Sequence, residues 1–355
     1  MCKFSNFAAY MKILVCPDSY KGTMTAPEAA LAIEAGIAAI RPDAEVERLP
    51  VGDGGEGTVE AVASVLPGIS WVSCPALDPL RRPVTARYAI VSEKTAFIES
   101  AAASGLTLIP QEERDIMNSD TYGTGLLIAD ALRRGISDFI ICLGGTATCD
   151  GGLGAFKALR KEPDIKALLP DLKFTLLSDV ENPFCGPQGA AAVFGPQKGA
   201  LPHQVPILDK RLRKIAGMYA RCNGINVTDM KYAGAAGGLA GMLMACFGAK
   251  PVSGISKVLQ LLNFESKLSG VDLIITGEGH ADLTTLKGKA ASGILELALK
   301  HNVPVAIIGG KVSDRDSLLE AGFIKVKEAT PSAPDPAISP ASYLALAAEE
   351  LIDSL

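Results

Sequence analysis

The chain is poor in several of the residues from which common sites are built. In 355 residues it has three histidines and one tryptophan, and His203, His280 and His301 stand too far apart for zinc-type spacing. Its eight cysteines (Cys2, Cys16, Cys74, Cys142, Cys149, Cys185, Cys222 and Cys246) form no CxxC pair. Scattered thiols inside apolar runs fit a reducing, bacterial-type cytosol, so a cytoplasmic location is expected. No apolar run is long enough to span a bilayer. Segment 1–10 (MCKFSNFAAY) lacks the apolar stretch of a signal peptide and reads as an unstructured extension, or as a start set too early with Met11 the true beginning. Neither sign of charge dominates: 34 Lys and Arg face 39 Asp and Glu, a net −5. That excludes bulk nucleic-acid binding and leaves no polybasic patch for a membrane. The usual nucleotide motifs are also missing. Gly288-Lys289 is followed by Ala290, so there is no GxxxxGK[ST], and neither GxSxG nor HExxH occurs. The single GxGxxG match, Gly52 to Gly57, follows the second strand and carries Asp53 and Glu56, which would repel a pyrophosphate. A nicotinamide oxidoreductase is therefore the weakest reading.

What is present is a globular composition, with 48% hydrophobic and 21% charged residues, in a length that suits about two domains. Lys12–Pro17 reads as a buried parallel strand, followed by a polar loop and a helix opened by a Thr25/Glu28 capping box with Pro27 in its first turn. Val46–Val51 predicts a second strand ending in the 52–57 glycine loop, and Trp71–Cys74 a third in the same alternating α/β run. The pattern then changes. Val84–Val91 and Thr95–Glu99 predict a hairpin, Thr121–Arg134 a helix ended by Gly135, and Phe139–Leu143 and Leu176–Val180 strands. Leu208, Leu212, Ile215 and Tyr219 recur at helical spacing, and Gly234–Phe247 predicts a closely packed Gly/Ala-rich helix. Alternation returns with strands at Val271–Thr276, Val303–Ile308 and Phe323–Val326, a helix over 290–301, and a C-terminal helix capped by Ser339 and Pro340. The expected organisation is an α/β domain made of 11–75 and 270–355, with a mixed α+β domain, 76–269, inserted in it.

Several polar, glycine-rich loops follow buried strands directly, and in an open parallel sheet ligands bind outside those strand ends. The loops carry Asp18, Ser19, Lys21, Asp53, Gly54, Gly55, Gly144, Gly145, Thr146, Thr148, Asp150, Gly151, Asp179, Glu278, Asp282 and Lys311. Glycines bring backbone N–H groups close to an anion, lysines neutralise it, and carboxylates serve a metal or an attacking hydroxyl. Phosphoryl transfer needs this combination. Each residue also has a plainer reading. The GDGG stretch can be only a tight turn, Thr146 and Thr148 can cap the following helix, Asp179 can form an Asx turn before Asn182-Pro183, and the loop 195–199 around Lys198 can be a surface turn. Glu278, between two glycines, is the hardest to explain structurally. On the residues alone, an anion-binding α/β enzyme is as far as the reading goes.

The ordered set of motifs is more specific than any one of them. Pro17–Gly22 (PDSYKG), Val51–Thr58 (VGDGGEGT), Glu99–Leu106 (ESAAASGL), Tyr122–Gly125 (YGTG), Leu143–Gly152 (LGGTATCDGG), Ser178–Pro183 (SDVENP), Val193–Ala200 (VFGPQKGA), Gly234–Leu239 (GAAGGL) and Ile275–Lys289 together resemble the bacterial glycerate kinase family of sugar-acid and glyoxylate catabolism. The resemblance implies ATP-dependent, Mg²⁺-assisted phosphorylation of D-glycerate, usually to 2-phosphoglycerate. It implies a flavodoxin-like parallel-sheet domain, an inserted domain of restriction-endonuclease-like topology, and in-line transfer in a closing cleft between them. Lys21 and Lys198 are expected to neutralise phosphates or the substrate carboxylate, and the 144–151 loop with Thr146, Thr148 and Asp150 to cradle phosphate. Glu278 and Asp282 are expected at the metal, Asp179 or Asp53 as base, and Asp18, Ser19, Gly54, Gly55, Ser104, Thr124 and Lys289 at the substrates. The partner is a small molecule, and the oligomeric state is left open, a homodimer included. Three departures from the family pattern bear on the acceptor pocket: Cys149 where Asn is common, Thr284 where Gln is usual, and a short stretch between Leu159 and Phe174. A non-catalytic sugar-acid sensor and a kinase for another small hydroxy acid are the alternatives.

Overall fold

The structure, a computed structural model, describes residues 11–355 apart from 164. The expectation for segment 1–10 lies outside the described residues. In chain order the strands are β1 (Lys12–Pro17), β2 (Glu45–Arg48), β3 (Ser70–Leu77), β4 (Pro83–Ser92), β5 (Thr95–Glu99), β6 (Asp138–Cys142), β7 (Lys173–Leu177), β8 (Lys250–Val252), β9 (Leu273–Ala281), β10 (Val305–Val312) and β11 (Lys325–Glu328). The chain divides into two compact units. One comprises the residues through Asp53, then Glu60–Pro67 and Ile255–Leu355; the other comprises Gly54–Val59 and Gly68–Gly254.

The first unit is built on a five-stranded sheet of order β11-β10-β9-β1-β2, parallel throughout. Its central strands are continuous apolar runs because helices cover both faces, and Ile13, Val15, Ile275 and Ile308 are all fully buried. The helix Ala26–Ile40 starts as its sequence predicts. Glu28 Oε2 accepts from the Thr25 backbone N–H at 2.8 Å while the Thr25 hydroxyl accepts from Glu28 N–H at 3.4 Å. The C-terminal helix Pro340–Asp353 is capped by Ser339, whose hydroxyl accepts from Ser342 N–H at 3.1 Å. Because every pairing is parallel, the carboxyl ends of all five strands share one edge. Asp18, Asp53, Glu278, Gly310 and Ala329 follow or end β1, β2, β9, β10 and β11 there.

Several expectations change in this unit. β2 is Glu45–Arg48, short of Val51, and β10 runs past Ile308 through Val312, so Lys311 stands on a strand. β9 does not stop at Thr276 but continues through Ala281, paired with β10 as far as Ala281–Val312. Glu278 therefore stands on a strand. Alternating glycine and polar residues hide the hydrophobic pattern that would have marked it. β3 does not belong to this sheet at all.

In the second unit the sheet order is β3-β4-β5-β6-β7-β8; the first two pairings are antiparallel and the rest parallel. Trp71–Cys74 was expected to extend the parallel run. It lies instead in β3, an edge strand with one solvent face on which Arg87 stacks over the Trp71 ring at 4.3 Å. The second compact unit accordingly comprises Gly54–Val59 as well as Gly68–Gly254, where 76–269 was expected for the inserted domain. The predicted hairpin is β4–β5, with a register shift between Ile90 and Ser92. β7 ends at Leu177, so Asp179 lies just past its end. Only Leu239–Phe247 of the Gly/Ala-rich segment is α-helical. Its first half is a short 3₁₀ turn in which Ala236 and Gly237 take positive φ.

In the first unit the two capped helices touch at Gly36, where an added Cβ would overlap the Ala345 carbonyl. Gly36→Ala is expected to destabilise that unit by about 1–3 kcal/mol through this overpacking, read as a lower urea midpoint at unchanged slope.

Candidate active site

The carboxyl edge of the first unit's sheet opens into a cavity of about 730 Å³. Asp18, Ser19, Lys21, Asp53, Glu278 and Lys289 line it, with His280, Gly310 and Lys311 further along. Tyr20 fixes the loop that carries Asp18 and Lys21. Its hydroxyl donates to the Ile308 carbonyl at 2.7 Å, and its phenol lies where a side chain on Gly277 would be. A Cβ at Gly277 would overlap the Tyr20 hydroxyl and one at Gly310 would press on the Gly279 carbonyl at 2.6 Å. Gly277 and Gly310 are thus required by close packing of this loop on β9 and β10.

The electrostatics of this end are strained. Asp18 is pushed up to about 7, first by burial and then by the neighbouring Asp53 charge, with the Ser19 N–H and Lys21 pulling the other way and Glu278 adding to the rise. The Ser19 N–H donates to Asp18 Oδ1 at 2.6 Å. Burial also raises Glu278, opposed by the Thr285 hydroxyl and Lys289. The Lys289 ammonium reaches Glu278 Oε2 at 3.3 Å, whereas Glu278 Oε1 is buried without a hydrogen-bond partner. Among the described residues no group of three or more His, Cys, Asp or Glu side chains is arranged as a ready metal cage. The hard oxygen donors and the orphaned Oε1 nevertheless suit Mg²⁺, which is ordinarily held by one or two carboxylates plus water and phosphate oxygens. Asp282, expected at the metal, does not line the cavity. Its Oδ1 accepts from the Thr284 N–H at 2.7 Å and hydroxyl at 2.6 Å, which holds its carboxyl below the usual range and closes the turn after β9.

The second unit gathers another set of the expected residues. Gly54 and Gly55 pack at the ends of β6 and β7. A Cβ on Gly54 would lie 2.7 Å from Leu177 Cβ, and one on Gly144 would lie 2.7 Å from Gly55 Cα. The Gly144 N–H donates to the Gly54 carbonyl at 3.4 Å, and Glu99 Oε1 accepts from the Val59 N–H at 2.8 Å. Asp179 Oδ1 accepts from the Gly254 N–H at 3.1 Å, so this carboxylate holds the start of the helix Gly254–Leu261 that follows β8. Gly145 (φ 77°) and Gly151 (φ 66°) take backbone conformations that favour glycine. Lys198 lies on no surface turn: it is only 5% exposed, and its ammonium donates to Thr146 Oγ1 at 3.1 Å and the Thr148 carbonyl at 2.8 Å. Burial brings it down to about 8, with Cys149 and Asp150 holding it up. The Thr148 hydroxyl is buried without a partner.

Some expected contacts are structural instead. Asp150 gives its oxygens to the Thr121 N–H and hydroxyl and to the N–H groups of Gly152 and Gly154, so it, not Thr146 or Thr148, caps the helix Leu153–Leu159. Ser104 and Thr124 are fully buried and share a 2.7 Å hydroxyl–hydroxyl bond, with Thr124 also donating to the Ser100 carbonyl. Burial raises the Cys149 thiol to about 11, and it behaves as a small core residue. Reading the sequence missed Tyr20, Thr285 and the far wall of the cavity. Tyr20 was within reach, since it lies in PDSYKG opposite a glycine-rich strand.

Comparison with known proteins bears on this arrangement directly. The model of the glycerate kinase family matches residues 13–163 and 160–353. The chain belongs to the glycerate kinase family. It is 41% identical over 332 residues to "Glycerate 2-kinase" of Escherichia coli (strain K12), covering 86% of each chain. It is 40% identical to "Glycerate kinase" of Bacillus subtilis (strain 168), again over 86% of each. A crystal structure from Salmonella typhimurium LT2, provisionally named glycerate kinase 2, superposes with a TM-score of 0.83 at 35% identity, covering 97% of this chain and 98% of that one. The mixed α/β fold of this family member is thus shared with a solved relative. No helix among the described residues is long and apolar enough to cross a membrane.

The raised Asp18 pKa carries a stability cost of defined sign. The group titrates near 4 when unfolded and near 7 when folded. The folded state therefore binds more protons between those values, and stability falls as pH rises through them. Asp18→Asn is expected to melt higher than the parent at pH 8, with the gap closing at pH 5, in thermal denaturation at both values.

Proposed function

We propose that the protein transfers the γ-phosphoryl group of ATP to D-glycerate, giving 2-phosphoglycerate. The observation that carries this is the buried, unpartnered Glu278 Oε1 beside Lys289, with Asp18 and Asp53 lining the same cavity. Mutually repelling carboxylates at a parallel sheet's carboxyl edge are relieved by a cation, and lysines beside them suit a polyphosphate. Taken alone, the strands of the first unit run in the order 2-1-3-4-5, which supports the flavodoxin-like description and puts Asp18 and Glu278 at the switch point between β1 and β9. The mixed sheet of the second unit is compatible with the restriction-endonuclease-like half of that description.

In this reading Lys21 and Lys289 neutralise phosphate oxygens. Glu278, with Asp18, would hold Mg²⁺, which when bound supplies charge neutralisation at the transferring group. Asp53 accepts the proton of the attacking hydroxyl, a task that needs only a positioned carboxylate in a loose transition state. Asp179 takes a positioning role through Gly254. Lys198 holds the Thr146–Thr148 turn that follows Gly145, whose amide faces an anion in this reading, and Asp150 fixes the far end of that loop. Asp282 supports the turn behind Glu278.

A coupled assay for ADP formation with D-glycerate and ATP tests the activity. Asp53→Asn and Glu278→Gln are expected to lower kcat by about a hundredfold or more, and Asp179→Asn by less than about tenfold. Near-parental rates in the first two would overturn these roles. Binding of D-glycerate without ADP formation would identify a sensor instead.

A further inference from the structure

The cavity of the first unit has two chemically different ends, and the roles above use only one. Its other end is a wall of Pro334, Pro336, Ile338, Pro340, Tyr343 and Leu344. Ile338 is 37% exposed there, an apolar side chain that the core does not use. The wall is held firmly. Lys311 Nζ donates to the carbonyls of Thr330 at 3.4 Å and Pro331 at 3.3 Å, and the Asp335 N–H donates to the Tyr343 hydroxyl at 2.6 Å. Prolines fix φ along the segment, so little further ordering accompanies binding.

Its hydrogen-bonding capacity is one-sided. Pro334, Pro336 and Pro340 have no N–H. The N–H groups of Ala329 and Thr330 are taken by the Gly309 and Gly310 carbonyls at 2.8 and 3.0 Å. Those of Ile338 and Tyr343 are taken by the Asp335 and Ser339 carbonyls at 3.0 and 3.1 Å, and that of Asp335 by Tyr343. The backbone of these lining residues therefore offers acceptors and no free donor. A flat ring with an exocyclic amino group suits such a wall, whereas one with a carbonyl at that position finds no backbone N–H partner among these residues. The volume of about 730 Å³ accommodates a nucleotide.

We propose that this wall is the nucleoside subsite of the phosphoryl donor, taking the adenine ring against Ile338, Pro336 and Tyr343 and directing the triphosphate to Lys21 and Lys289. It rests on the phosphoryl-transfer reading above and assigns the donor, not the acceptor acid, to the first unit. The test titrates the full chain with Mg·ADP by calorimetry, for the parent and for Ile338→Ser, a surface change that leaves the core intact. The Kd is expected to weaken about tenfold, and in steady state KM for ATP to rise about tenfold while KM for D-glycerate stays within about twofold. ATP is expected to be preferred over GTP in kcat/KM by at least about tenfold. Unchanged Mg·ADP affinity in Ile338→Ser, a rise confined to KM for D-glycerate, or equal use of GTP would overturn the subsite. Mg·ADP binding that weakens as expected in a chain unable to phosphorylate D-glycerate would uphold the subsite and remove the assigned acceptor.

Discussion

Repulsion between carboxylates held close together out of water is the constraint around which the first unit is arranged. Burial and the Asp53 charge raise the cost of ionising Asp18, and Glu278 adds to the field on it. Nothing in packing requires acids there; apolar residues at three strand ends would be cheaper. The arrangement persists because the surrounding elements over-determine it. Tyr20 is bonded to β10 and laid over Gly277, β9 is extended through Ala281 by pairing with β10, and Asp282 and Thr284 close the turn that follows. That strain is kept in place by ordinary secondary structure.

The second unit handles charge in the opposite way. Its buried group is a cation, Lys198, solvated by one hydroxyl and one carbonyl of the loop that carries Gly144, Gly145 and Gly151. Asp150 and the Gly151 N–H, which donates to the Gly237 carbonyl at 2.9 Å, anchor the far end of that loop. The residues at Ser104, Thr124 and Asp150 that look like ligands in a motif are the framework behind it.

Much of this was legible in the sequence for physical reasons. Continuous apolar runs such as KILVCP are seen only where strands are buried on both faces, and cap chemistry at Thr25–Glu28 and Ser339–Pro340 fixed two helix starts to the residue. The polar loops were correctly tied to strand ends, because the parallel alternation leaves them nowhere else to go. Three things were hidden. Glu278 looked like a loop residue, since glycine and polar side chains erase the period-two signal of β9. Trp71–Cys74 looked like another parallel strand, since an edge strand and a buried one are alike over four residues. Tertiary partners were not visible at all: that Asp179 serves Gly254, or that Lys198 is buried, depends on contacts across 50 or more positions. The family resemblance, by contrast, lay in the order of the motifs, which survives ignorance of what each one touches.

The central claim is that Asp18 titrates near neutrality until positive charge arrives, and its titration tests this most directly. With ¹³C-labelled aspartate, the Asp18 carboxyl signal can be identified by its loss in Asp18→Asn and followed by NMR against pH. The midpoint is expected near 7 in the free protein, falling by about one pH unit or more when Mg·ADP is bound. A midpoint in the ordinary aspartate range, or one that Mg·ADP leaves in place, would contradict the account.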